Sequence, residues 1–394
     1  MLNALESSAT TSCAKIACGE LDHWAGFAQH PGRRKKQAGS DVIHYKDKKR
    51  RRPESFPMSN IAFYDSKPYT QRSFEARNIR GYSITFFEHK LTRDTVASAA
   101  GFDAVCIFVN DTVDAEVAKR LRALGIGLVA LRCSGYNNVD LNACARHGIS
   151  VVRVPGYSPP SVAEHSVALM LALNRHITRA HARVREGNFT LNGLTGFEMR
   201  GKTAGIVGTG RIGTCAAEIL SGFRCSILAY DPHPAEALAK NPQVRYTDLD
   251  TLFHHSDIIS LYVPLLPTTR HLINDEAIRK MKRGVMLINT SRGALVDTAA
   301  LIRGLKRGTI GSAGLDVYEE ESDYFFEDRS EGVIADDLLA RLLTFNNVLI
   351  TSHQGFLTHE ALDAIAESTF DNIAEYLDGK RGNELTNGLC PKCG

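Results

Sequence analysis

No apolar run in this 394-residue chain approaches the roughly 18–20 residues that a membrane helix needs. The N-terminus also lacks the unbroken apolar core of a secretory signal, and Glu6, Glu20, Asp22 and Asp41 are foreign to an acid-poor transit peptide. We therefore expect a cytoplasmic protein with no membrane partner. There is no disulfide framework to read: the nine cysteines are odd in number and mostly scattered through candidate elements, which suits a reducing compartment. Cys390 and Cys393 form a lone CxxC with no partner pair, short of the about four ligands a zinc site needs, so 388–394 reads as an inert tail and no metal is expected. A positive body is missing as well. Residues 1–57 hold 11 Lys+Arg against 6 Asp+Glu, which leaves 36 against 38 for the rest. That balance offers no general attraction for nucleic acid. Internal repeats and low-complexity tracts are absent from the body.

The basic excess sits in "GRRKK" and "KDKKRRRP". Residues 1–58 show no sustained periodicity and read as a disordered extension, dispensable for activity. The second run also resembles a nuclear-localisation or polyanion-binding signal, and Met58 is a candidate working start.

From residue 60 short apolar runs alternate with helical stretches. Candidate strands are 61–65, 83–88, 104–109, 127–132 and 149–155, then, after a long helix, 204–208, 225–231, 257–263, 285–290, 310–317 and 348–352. Near-continuous apolar strands between amphipathic helices predict parallel sheets covered on both faces. The helix between the two series is expected over about 161–187, opened by Pro159 and Pro160 with Ser161 as cap, and it is a candidate bridge between two domains.

"GIVGTGRIG" places Gly208, Gly210 and Gly213 after a strand and before a helix. The first glycine permits a tight turn, the second admits a pyrophosphate to backbone amides, and the third packs helix on strand. Asp231 stands 18 residues past Gly213, at the end of the next strand. A carboxylate there accepts from ribose hydroxyls and repels a 2′-phosphate, so NAD is favoured over NADP. His233 close by weakens that preference slightly.

In "MLINTSRGALVD" one permanent cation, Arg292, stands where all around is small or apolar. It either caps a helix, pairs with a surface acid, or grips an anionic substrate. Glu321, after "GLDVYEE", and His353, after "VLITS", also follow late strands. In a doubly wound sheet the carboxyl ends of strands line one crevice, so the three can converge. Together they suit reduction of a 2-oxo acid: a guanidinium for the carboxylate, an imidazole for the proton, a carboxylate to orient it. Chemistry alone leaves the choice among Glu319, Glu320 and Glu321 open.

With "LRCSGYNNVDL", "VPGYSPPSVAEHSVALML", "NTSRGALVD", "GLDVYEEE", "DYFFEDRS" and "SHQGFLT", the chain resembles the D-isomer-specific 2-hydroxyacid dehydrogenases over about residues 60–387, most nearly their fermentative D-lactate branch. The resemblance implies reversible, NAD-dependent reduction of pyruvate to D-lactate. It assigns Arg292 to substrate orientation, His353 to acid–base work and, by the family's spacing, Glu321 as its partner. It implies substrate contacts at the backbone amides of Ser134 and Gly135 and walls from Phe108, Tyr157 and Phe356. Cofactor contacts would be Gly208, Gly210, Arg211, Ile212, Gly213, Asp231, Val263, Pro264, Thr290 and Asp316. The implied fold is α/β: a Rossmann domain (158–349) inserted into a flavodoxin-like catalytic domain (59–157 with 350–387), in a homo-oligomer, dimer or tetramer. Leu266 and Gly355 depart from the residues usual in the family. A bulkier 2-oxo acid, or an NAD-sensing corepressor of the C-terminal-binding-protein type, remain alternative readings.

Overall fold

The computed structural model describes residues 59–391; the basic extension, the candidate start at Met58 and Cys393 lie outside that range. The central strands, which read as continuous apolar runs, are largely buried, as a sheet covered on both faces requires, while the edge strands Ser83–Phe86 and Val348–Ile350 are only partly covered. The first sheet holds β1 (Asn60–Phe63), β2 (Ser83–Phe86), β3 (Ala104–Ile107), β4 (Leu128–Leu131) and β5 (Ser150–Val152), all parallel, in the order β2-β1-β3-β4-β5. Every residue of β3 and β4 is buried.

The second sheet is parallel throughout. It comprises β6 (Thr203–Val207), β7 (Ser226–Tyr230), β8 (Val244–Tyr246), β9 (Ile258–Leu261), β10 (Val285–Asn289), β11 (Ile310–Leu315) and β12 (Val348–Ile350), ordered β12-β11-β10-β9-β6-β7-β8. The chain runs outward one way from β6 to β8 and the other way from β9 to β12. The crevice between β6 and β9 is thus the switch point where such sheets bind ligands. After β12 the chain returns to the first sheet. Helix His359–Leu377 buries Ile365, Phe370 and Ile373 in that sheet's core, and β13 (Gly388–Leu389) pairs antiparallel with β5. The fold class is the expected one, two α/β parallel-sheet domains, save for this antiparallel edge.

Helix starts follow local chemistry. Asp114, Asp140, Asp248, Asn274, Asp297 and Thr358 each accept a backbone N–H of the first turn. The long helix expected over 161–187 is two helices, Pro159–Asn174 and Ile177–Arg185, broken at His176, which takes the left-handed φ of 50°. Asn174 helps to end the first. Its side chain is buried, accepts from Phe197 N (2.7 Å) and donates to Phe197 O (2.8 Å), so the following loop folds back onto the helix end. Ser161 is not the cap either. Its Oγ lies 2.8 Å from Thr358 Oγ1, joining the two halves of the molecule, while Ser158 holds the cap position. The short edge strands β8 and β13 carry too few apolar residues to be visible in the sequence.

Candidate active site

β12 ends at Ile350, and three residues later His353 takes the left-handed φ of 50°. The support for that unfavourable turn is Asp316, buried just beyond β11. Its carboxylate accepts Thr351 Oγ1 (2.6 Å), Gln354 N (2.9 Å) and Gly355 N (2.8 Å), and His165 Nε2 lies 3.2 Å away. Burial opposes charge on this carboxyl, but the hydrogen bonds from His165, Thr351 and the Gly355 amide outweigh it and hold it below the usual carboxylate range. The Asp316 carbonyl also accepts His353 N at 2.7 Å. A β-carbon at Gly355 would stand 3.0 Å from Asp316 Oδ2, so this departure from the family pattern gives the turn room.

So held, His353 Nδ1 lies 2.9 Å from Glu321 Oε1, and Glu321 Oε2 accepts Tyr318 N at 3.0 Å. A carboxylate only accepts, so Nδ1 carries the proton and Nε2 is left for a ligand. Of the three glutamates, the one bonded to His353 is Glu321, and Glu319 has partners elsewhere. It faces away, 2.6 Å from His271 Nε2 and 3.2 Å from Thr298 Oγ1.

Arg292 leaves β10 through a tightly bonded exit. Asn289 donates to Arg292 O (2.8 Å) and accepts Ser291 N (3.1 Å), and Ser291 Oγ donates to Leu261 O (2.9 Å). Gly293 follows because a β-carbon there would collide with the Tyr318 carbonyl. Among the described residues Arg292 pairs with no acid; its Nη1 donates to Ser291 O at 2.6 Å. Its Nη2 lies so near Gly135 that a β-carbon on that glycine would be 2.5 Å away. The cation therefore faces the Ser134–Gly135 turn of the first sheet, where no acceptor among the described residues takes either amide. A guanidinium without an acidic partner beside two open N–H groups is a geometry suited to an anion, and the Arg292 side chain makes no cap hydrogen bond to the turn Gly293–Leu295 that follows it.

Aromatic rings wall the space between. Phe108 and Phe356 have centroids 5.8 Å apart, and Tyr157 and Phe356 6.3 Å. Burial pushes the Tyr157 hydroxyl up to about 12 against the pull of Arg292, so it stays a neutral donor. Phe326, which the sequence reading did not single out, closes the row at 5.5 Å from Phe108 and 5.9 Å from the His353 ring. A buried polar cluster beneath Phe108 also went unread. The Arg132 guanidinium lies between the rings of Phe63 (4.4 Å) and Phe108 (4.7 Å) and donates to Asp65 O at 2.7 Å. Asp111 accepts Leu91 N (2.6 Å) and Phe108 N (2.5 Å). Only the adjacent arginine and cysteine of "LRCSG" hinted at it.

The glycine turn fits a dinucleotide. Gly208 has φ 97°, and a β-carbon there would be 2.8 Å from the Tyr262 carbonyl. One at Gly213 would collide with the Gly208 carbonyl, whereas the same position at Gly210 meets nothing within 4 Å. Helix Arg211–Gly222 starts at that open point with its free N–H groups outward. Asp231, one residue past β7, accepts Thr209 N (2.6 Å) and His233 N (2.8 Å), which places its carboxylate beside the turn. Arg211 reaches the first sheet, its Nη1 2.8 Å from where Gly156 would carry a β-carbon, and Ile212 is half-buried behind it. Val263 lies against Gly208, Pro264 is exposed beside it, and the buried Thr290 hydroxyl has no partner among the described residues, an open polar atom for a ligand. The Asp316 carboxylate, expected near the nicotinamide, is bonded to the turn that carries His353.

The model of the D-isomer specific 2-hydroxyacid dehydrogenase NAD binding domain matches residues 167–355. Over 327 residues the chain is 50% identical to the D-lactate dehydrogenase of Escherichia coli (strain K12), covering 82% of this chain and 99% of that one. It is similar in structure to the pyruvate reductase of Chlamydomonas reinhardtii (TM-score 0.78, 48% identity, 83% of this chain and 98% of that one). It is also similar to the D-lactate dehydrogenase with NAD+ from Lactobacillus jensenii (TM-score 0.70, 31% identity, 84% and 99%).

Proposed function

This chain belongs to the D-isomer-specific 2-hydroxyacid dehydrogenases, and from that premise we propose how its own residues carry out the reaction and on which acid. It is an NAD-dependent oxidoreductase; the substrate pair is pyruvate and D-lactate. Arg292 and the amides of Ser134 and Gly135 bind the substrate carboxylate, and the guanidinium polarises the neighbouring carbonyl. His353, its Nδ1–H held by Glu321, presents Nε2 to the carbonyl oxygen, giving a proton in reduction and taking one in oxidation. The glycine turn and Asp231 would hold NAD, which when bound would provide the hydride chemistry at the substrate's C2. Phe108, Tyr157 and Phe356 exclude water around the transfer.

The observation that carries this reading is an arginine without an acidic partner facing open amides of the other sheet, within a site that also holds the 2.9 Å His353–Glu321 pair. The test is NADH or NADPH absorbance across a panel of 2-oxo acids. NADH oxidation with pyruvate is expected, with NADPH slower. Absence of turnover with every 2-oxo acid, together with capture of a short peptide, would replace it with the corepressor reading; faster turnover of a branched or phenyl acid would replace pyruvate.

In this reading the substrate domain is 59–157 with 350–387 and the cofactor domain 158–349; the first sheet runs slightly past the first of these, to β13 (Gly388–Leu389), and the second ends at Ile350. The protein acts in the cytoplasm, in keeping with free thiols at Cys106, Cys133, Cys144, Cys215 and Cys225 and with no helix among the described residues long and apolar enough to cross a membrane. It works as a dimer or tetramer, supported by exposed Ile177, Val184, Phe189 and Leu191 along and after helix Ile177–Arg185.

A further inference from the structure

The loop between β11 and β12 carries "DYFFEDRS". It belongs to the second sheet, yet much of its bonding reaches the first. Glu327 Oε1 lies 3.5 Å from Lys67 Nζ and 4.0 Å from Lys90 Nζ. Lys90 Nζ also donates to Ser322 O at 3.2 Å, and Asn110 Nδ2 reaches Phe325 O at 3.5 Å. Between these ties stands Phe326, in the left-handed region at φ 68°, its N–H 3.4 Å from Ser352 Oγ. An aromatic residue does not choose that backbone unaided, so neighbouring bonds must hold it. Its ring sits between the catalytic imidazole and the Phe108 wall.

A planar 2-oxo acid has three directions at C2. The carboxylate goes to Arg292 and the carbonyl oxygen to His353, which leaves the third substituent to the aromatic row. We propose that Phe326 is the residue that limits that substituent to about a methyl group, and that Glu327 is a positioning residue that holds Phe326 there through Lys67 and Lys90. The inference rests on the 2-oxo acid reading above and adds what sets its size limit. The Lys67 and Lys90 ties cross between the sheets, so the limit is imposed when the halves meet rather than by a rigid cavity in either. Lys67 also lies 3.2 Å from Asp65 Oδ1, which anchors the lysine for the loop to meet.

The test compares kcat and KM for pyruvate and 2-oxo-4-methylpentanoate, with NADH, in the parent, Phe326→Leu, Phe326→Ala, Glu327→Gln and Glu327→Asp, each with its melting temperature. Phe326→Ala should shift the kcat/KM ratio toward the branched acid by roughly a hundredfold, the range that a missing hydrocarbon contact commands. Phe326→Leu should fall between. Glu327→Gln should raise KM for pyruvate several-fold with kcat little changed and make KM less sensitive to salt, leaving only the part due to the Arg292–carboxylate contact, while Glu327→Asp restores part of both. A Phe326→Ala variant that melts normally and keeps the parent ratio overturns the size-limiting role. A Glu327→Gln variant with parental KM and salt response overturns the positioning role. Failure of the underlying reading shows separately: the parent itself would then oxidise NADH with neither acid.

Discussion

The two sheets build their halves of the site by opposite means. The second offers backbone: Gly208, Gly210 and Gly213, a helix N-terminus and one carboxylate, most of it within residues 208–213. The first builds with buried side chains from distant strands. Arg132 lies between Phe63 and Phe108, Asp111 holds the Phe108 amide, and Phe356 arrives from the far end of the chain. A pyrophosphate is a fixed shape that a short turn can fit, so its recognition is local. A small acid offers little surface, so on the proposed reading its pocket is assembled from packed rings and completed by Arg292 from the other half.

The comparison breaks first at Arg292. Arg292→Ala should lower kcat/KM for pyruvate by at least roughly a hundredfold, the scale of losing one charged transition-state donor, while NADH binding by fluorescence persists. Equal turnover in variant and parent would remove the role given to the second sheet's cation. Gly213→Ala should do the reverse. A methyl pressed on the Gly208 carbonyl costs about 1–3 kcal/mol, so the NADH dissociation constant should rise roughly tenfold or more, with no change in substrate size preference.

The smallest effect concerns the buried charge in the first sheet. Burial pushes the Asp111 carboxyl up to about 7, although Arg132 and the amides of Phe108 and Leu91 pull the other way. Unfolded, this group titrates near about 4, so between the two values the folded chain binds more protons. Its stabilising contribution is therefore complete below about pH 4 and lost as pH rises through about 7. In Asp111→Asn the fall in melting temperature between about pH 5 and about pH 8 should be shallower than in the parent. An identical fall would mean that Asp111 stays ionised throughout, held by its two amide donors and Arg132.

How much of this was legible follows from the same contrast. The glycine turn, Asp231, Arg292 and His353 were readable because each sits one to three residues past a strand end, and parallel sheets bring such ends together. Glu321 was not separable from Glu319 by residue type. His271 made the distinction by taking Glu319, and it lies far away in sequence. Phe326 was hidden because a left-handed φ at an aromatic residue has no sequence signature. The break at His176 was hidden too, since it depends on Asn174 finding Phe197.

By itself, then, the sequence determined two parallel sheets, a dinucleotide turn and a cation waiting at a strand end, because periodicity, glycine sterics and a permanent charge act over a few residues. Only the tertiary structure decided which glutamate bonds the histidine, which ring stands beside it and where the long helix stops. Those outcomes depend on contacts between segments tens to hundreds of residues apart, and no local rule ranks such contacts before the chain is folded.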